Sequence, residues 1–252
     1  MKAAIAAVTL LAWIGAARGD QAAVDARRIA EKWQPAVITV RMTSRERMVV
    51  GGREMDKGEQ VREGTGAIVD SAGLTVFSLN DAEPFGAEEG GYEEPGYQWD
   101  TEISDVKMIM ADAREIAASV VMRDRDLDLV FVRPSQKQPR ALPFIDIKDR
   151  DSVAILDQIV LVGRLGKMSG RVTALSIGRV RAIVRKPRLY YVPDLANSYE
   201  GLGRPVFSLN GKVVGLVVFR SAPPRSTEGG ETIVLPIEEI SEVVSQVPAS
   251  RK

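Results

Sequence analysis

Two side chains that carry much of enzyme chemistry are missing from this chain. Its 252 residues include no His and no Cys. That excludes an imidazole base, a serine–histidine dyad, zinc held by His or thiolate, a thiol nucleophile and any disulfide. A hydroxyl such as Ser198 or Ser208 therefore has no imidazole to take its proton. Carboxylates and guanidinium groups remain. Residues 83–102 hold seven carboxylates (Glu83, Glu88, Glu89, Glu93, Glu94, Asp100, Glu102) among the aromatics Phe85, Tyr92, Tyr97 and Trp99. This composition suits a cation site, a dock for a basic partner, or a solvated insertion left outside the core. Arg179, Arg181, Arg185, Lys186 and Arg188 form a basic patch. Strand alternation would put the first two on one face, as on any solvated strand. With 34 basic residues against 34 acidic ones, no charge excess points to nucleic acid. No cofactor and no metal site is expected.

These groups must be positioned by mostly β structure. Residues 1–19 read as a signal peptide, with Lys2 ahead of an apolar stretch and small residues Ala17 and Gly19 before a cut at Asp20. The apolar run falls short of the ~20 residues that span a bilayer, so export followed by cleavage is expected rather than a retained anchor. Ala22, Ala26, Ile29, Ala30 and Trp33 then form one helical stripe, giving an N-terminal helix over 20–34 that Pro35 ends. Short β-rich runs follow at 36–42, 64–69, 75–79, 106–110, 116–122 and 129–133. A second set lies at 159–162, 172–177, 179–184, 190–192, 205–209, 213–219 and 232–235. Many short strands between turn signals indicate a sandwich or barrels. Asn210-Gly211 suits a tight hairpin with a primed turn. A proline-bearing linker at about 134–151 divides the halves, about 35–135 and 152–236. Residues 45–63 are polar and read as a mobile loop. Ile237, Ile240, Val243, Val244 and Val247 give the apolar face of a terminal helix within 237–252.

Several motifs, taken in order, resemble trypsin-like serine proteases of the HtrA/Deg type. Gly64-Thr65-Gly66-Ala67-Ile68-Val69, closing on Gly73, is similar to the family's G-S-G-x-I-I-x-x-x-G opening. Ala111-Asp112-Ala113-Arg114-Glu115 is similar to its D-G-R-E segment, and Asp124 to Val130 to its D-x-x-T-D-L-A-V run. Gly201-Leu202-Gly203-Arg204-Pro205-Val206 stands where N-S-G-G-P-L is expected, and Ile233 to Pro236 resembles F-A-I-P. The resemblance runs from about residue 30 to 247. It implies an all-β fold of two packed six-stranded β-barrels, with a cleft between them and a helix at each end. Many relatives carry C-terminal PDZ domains; none is expected here.

Carried over residue by residue, the resemblance implies a degenerate catalytic triad. Its acid falls on Asp128, its histidine position on Asp81 and its serine position on Leu202. The oxyanion-hole positions fall on Glu200, Gly201 and Leu202. Leucine has no nucleophilic atom, and a carboxylate with an intrinsic pKa near ~4 is a poor base for a hydroxyl. Two carboxylates in one cleft repel, so one should hold a proton or both should recruit a cation, with Arg204 a candidate internal counter-ion. The leading reading is an exported, non-catalytic pseudoprotease that binds a peptide or protein. The alternatives are an active HtrA-like serine endopeptidase and a structural or assembly subunit that uses the acidic 83–102 loop.

Overall fold

A computed structural model describes residues 20–50, 53–82, 97–195, 201–220 and 230–248. The signal-peptide segment 1–19, Ser198, Glu200 and residues 83–96 of the acidic insertion lie outside the described residues.

Helix α1 (Gln21–Trp33) begins at Asp20, whose side chain accepts a hydrogen bond from the Ala23 amide. Its buried face is the stripe read from the sequence, Ala22, Ala26, Ile29, Ala30 and Trp33. Trp33 stacks on Phe207 with ring centroids 5.8 Å apart, and its indole N–H donates to Gly211 O at 3.0 Å. This pins the N-terminal helix to the second half of the chain.

The first barrel closes in the order β1 (Val37–Val50), β2 (Arg53–Ile68), β3 (Thr75–Ser78), β6 (Leu129–Pro134), β5 (Glu115–Asp124) and β4 (Tyr97–Ile109). The second closes as β10 (Pro205–Ser208), β11 (Val213–Arg220), β12 (Glu231–Pro236), β9 (Tyr190–Pro193), β8 (Thr173–Val184) and β7 (Gln158–Arg164). Each sheet closes on itself, but the pairing is uneven: β2 meets β3 only at Ala67↔Val76 and Ile68↔Thr75, and β12 meets β9 at Val234↔Tyr191. Helix α3 (Ile237–Gln246) follows β12 and buries Ile237, Ile240 and Val243. Three apolar clusters result. One fills each barrel, and the third, with Val37, Leu129, Phe131, Val160, Phe207 and Leu216, joins residues of both barrels to the helices.

Three details differ from the sequence reading. The polar 45–63 stretch is no loop: β1 and β2 stay paired from Val37↔Ala67 to Val50↔Arg53, and β4 flanks β1 as far as Val50↔Tyr97. Backbone hydrogen bonds on both sides of β1 hold this ribbon, so it shows no apolar alternation. Residues 97–102 of the acidic insertion accordingly belong to β4. The runs 172–177 and 179–184 form one strand, β8, and Gly178 lies inside it. A Cβ at Gly178 would sit 2.9 Å from Asp194 Oδ1, so the glycine makes room for a crossing side chain. The Asn210-Gly211 hairpin is present, but only Gly211 has positive φ (80°), and the Gly211 amide donates to Ser208 O at 2.9 Å. With the Ser208 amide donating to Lys212 O at 3.0 Å, this fits a turn closed by a left-handed glycine bulge rather than a primed turn.

Candidate functional site

The cleft is built from the ends of strands in both barrels. After Ser78, β3 turns into a single helical turn, α2 (Leu79–Ala82), with Leu79 and Ala82 buried and Asn80 and Asp81 between them. Asp128 sits just before β6 with φ 57°, a left-handed conformation that aspartate tolerates better than most residues. Its backbone carbonyl accepts from the Leu79 amide at 3.0 Å, which locks α2 against β6.

The Asp128 carboxylate is buried at 3% exposure and accepts four hydrogen bonds. Ser78 Oγ donates to Oδ2 at 2.6 Å. The Asn80 amide and Asn80 Nδ2 donate to Oδ1 at 2.8 and 2.7 Å. The fourth donor is the Phe219 amide of β11, at 2.8 Å to Oδ2. Asp128 thus ties the first barrel to the second. Burial pushes its carboxyl above the ordinary carboxylate range, and the four donors offset part of that rise.

Asp81 has different surroundings. Its pKa is pushed up to about 7, first by burial and then by the Asp128 charge, while Arg204 pulls it down. The structure therefore brings Asp81, Asp128 and Arg204 within electrostatic reach of one another.

On the opposite wall, Gly201, Leu202 and Gly203 form a tight turn into β10. Gly201 and Gly203 have φ of 103° and 70°. Gly203 must be glycine, since a Cβ there would lie 2.1 Å from Thr65 O on the facing barrel. Leu202 lines the cleft, but its side chain is buried and packs in the second barrel's cluster with Leu161, Val206 and Phe219. Ser208 lies buried on β10.

The polar cleft has a volume of about 210 Å³, and Thr39, Glu63, Gly64, Asp81, Arg164 and Arg204 are among its lining residues. A second hollow of about 300 Å³ lies among Leu127, Tyr190, Phe219, Arg220 and Leu235, and Asp81 and Leu202 do not line it.

Sequence reasoning missed several of these groups. Arg164 fixes its guanidinium on Val37 O (2.8 Å), Gln34 O (2.7 Å) and Thr173 Oγ1 (3.1 Å). Glu63 pairs through both oxygens with Arg171 of the facing barrel. Apart from Arg164–Thr173, which joins neighbouring strands, these contacts link residues far apart in sequence, so no motif could reveal them. Ser78 and Asn80 both lie just before the predicted Asp81 and could have been suspected from that alone. Among the described residues, no group of three or more Asp, Glu, His or Cys could hold a metal ion. No described helix is long and apolar enough to cross a membrane.

Known proteins share this architecture. The chain is 33% identical over 111 residues to a probable periplasmic serine endoprotease, DegP-like, of Rhizobium meliloti. That match covers 43% of this chain and 22% of the relative. A DegP-like relative from Bartonella henselae is 27% identical over 144 residues, covering 56% of this chain and 28% of the relative. This chain thus corresponds to about a quarter of the length of the curated relatives it matches. The crystal structure of the MamO protease domain from Magnetospirillum magneticum, in its apo form, superposes with a TM-score of 0.53. It shares 18% identity and covers 86% of this chain and 98% of its own, which is a likeness of fold. Residues 64–216 match the family model of the trypsin-like peptidase domain. That stretch is more than half of the chain and carries both walls of the cleft, and the chain belongs to the trypsin-like peptidase domain family, with relatives of the HtrA/Deg type.

Proposed function

We propose that this chain is an exported, non-catalytic trypsin-like domain that binds a peptide or protein in the cleft between its barrels. One observation carries the reading: the chain has no histidine, and the side chain at the position matched to the nucleophile, Leu202, is buried in the apolar core of the second barrel. A protease of this type needs a hydroxyl, a base to take its proton and an acid to orient the base. Asp81 holds the matched base position, with no serine hydroxyl among the described residues lining its cleft. Ser78 is fully buried and already donates to Asp128.

Loss of the triad leaves the cleft itself intact. Extended peptides recognised by folded domains commonly pair with strand backbone while pockets read alternate side chains. The apolar, small-residue composition of 1–19 supports export, and both DegP-like relatives are described as periplasmic.

Casein digestion from pH 5 to 9 tests the proposal. The expected result is no turnover above a buffer control. Sustained cleavage that co-purifies with the chain would restore the endopeptidase reading. Deleting 85–96, short of β4, separates cleft binding from assembly through the acidic insertion: a cleft ligand should still bind, whereas an assembly partner should be lost.

A further inference from the structure

We propose that the cleft beside Asp81 is a carboxylate-binding site, in which Arg204 holds the anion and Asp81 controls when it can. The inference deepens the binding role proposed above and rests on it. Two glycines, one from each barrel, make room for the two charged side chains. A Cβ at Gly163 of β7 would lie 2.5 Å from Arg204 Nε, and one at Gly64 of β2 would lie 2.8 Å from Asp81 Cβ and 2.9 Å from Oδ2. Larger residues at these positions would push Arg204 and Asp81 out of the places they occupy.

The remaining charges favour an anion. Asp128, on the β6 side, has its carboxylate committed to four donors. Glu63 of β2 is neutralised by Arg171 from the turn after β7. Arg164 of β7 adds a second fixed positive charge to the wall. Thr39 lines the same cleft, and its buried hydroxyl has no partner among the described residues. A guanidinium recognises a carboxylate through paired N–H donors, and a polar space of about 210 Å³ admits such a group.

Asp81 supplies the control. When protonated it is neutral, and its O–H can donate to a ligand oxygen while Arg204 is left with no ion-pair partner among the described residues. When ionised it repels the ligand and neutralises Arg204 itself. With a pKa of about 7, Asp81 is about 90% neutral at pH 6 and about 10% neutral at pH 8, so affinity should fall about tenfold between them.

Three acetylated tetrapeptides test this by amide chemical-shift titration of the intact chain: tetra-alanine with a free C-terminal carboxylate, its C-terminal amide, and an amidated peptide carrying one Asp. The free carboxylate should shift the Gly163 and Gly203 amides, with about tenfold weaker binding at pH 8 than at pH 6. Binding of the Asp peptide as well would define the ligand as any carboxylate; its failure would define a chain terminus. Asp81→Asn should remove the pH dependence. Arg204→Gln should abolish binding, and Arg204→Lys should keep part of it. Equal binding by the neutral amide, unchanged binding in a folded Arg204→Gln chain, or no saturable binding of either carboxylate would overturn the proposal. Casein cleavage would instead defeat the non-catalytic reading, so the two failures are distinguishable.

Discussion

Asp128 and Asp81 belong to the same barrel and act on one another, yet the protein treats them in opposite ways. Asp128 is almost fully buried and surrounded by donors, one of which comes from the other barrel. Asp81 lines the cleft, where the Asp128 charge raises its pKa and Arg204 lowers it. The first is a structural tie whose energy lies in satisfied hydrogen bonds. The second is held close to its titration point by burial and a neighbouring like charge, an arrangement common where a group must respond to ligand or pH. On the proposed non-catalytic reading, an aspartate at the position matched to the triad acid makes sense, because Asp128 joins the barrels whether or not catalysis occurs.

The largest effect should come from removing the tie. Asp128→Ala leaves Ser78 Oγ, both Asn80 donors and the Phe219 amide without their acceptor. Denaturant unfolding should show a loss of about 3–5 kcal/mol. A loss under ~1 kcal/mol would mean that the two aspartates are not so different after all.

Asp81→Asn should act in the opposite direction and depend on pH. The folded pKa of about 7 lies above the ordinary aspartate value of 3.8. Below the unfolded value both states are protonated, and Asp81 takes nothing from stability. As pH rises toward 7 the unfolded chain releases its proton while the folded chain keeps it, so stability falls; above 7 the loss is complete. An amide side chain does not titrate, so the substitution removes that slope. The variant should gain about 1–3 kcal/mol at pH 8 and little at pH 4, as read by melting curves across pH. A wild-type stability that rises from pH 5 to 8 would contradict the sign.

Smaller effects refine the comparison. Ser78→Ala removes one of the four donors to Asp128 and should cost about 1–2 kcal/mol. Arg204→Ala should cost about 1 kcal/mol, more than Arg28→Ala, whose ion pair with Asp25 is exposed and worth under ~0.5 kcal/mol. Equal melting points for the two arginine variants would deny Arg204 its role as internal counter-ion.

Much of the frame was legible in the sequence because its signals are local. The helical stripe of α1 and the apolar face of α3 follow from periodicity, and the buried strands β10 and β11 from short apolar runs on either side of Asn210-Gly211. The β1–β2 ribbon was not legible. Its polar arms are held by backbone pairing, which leaves no mark in side-chain patterning. The runs 172–177 and 179–184 read as two strands because the glycine between them signals a turn and a close side-chain approach equally well. At the site, motif order brought out Asp81, Asp128, Leu202 and Arg204. The Phe219 amide, the Arg164 bond to Val37 O and the Glu63–Arg171 pair depend on contacts between barrels far apart in sequence. They become visible only once the chain is folded.

The central claim is that no hydroxyl in this chain is activated for acyl transfer, and a fluorophosphonate probe reads that property directly. Intact-mass spectrometry after incubation should find the unlabelled chain alone. A stoichiometric adduct on a single serine, abolished by unfolding the protein before labelling, would contradict the claim.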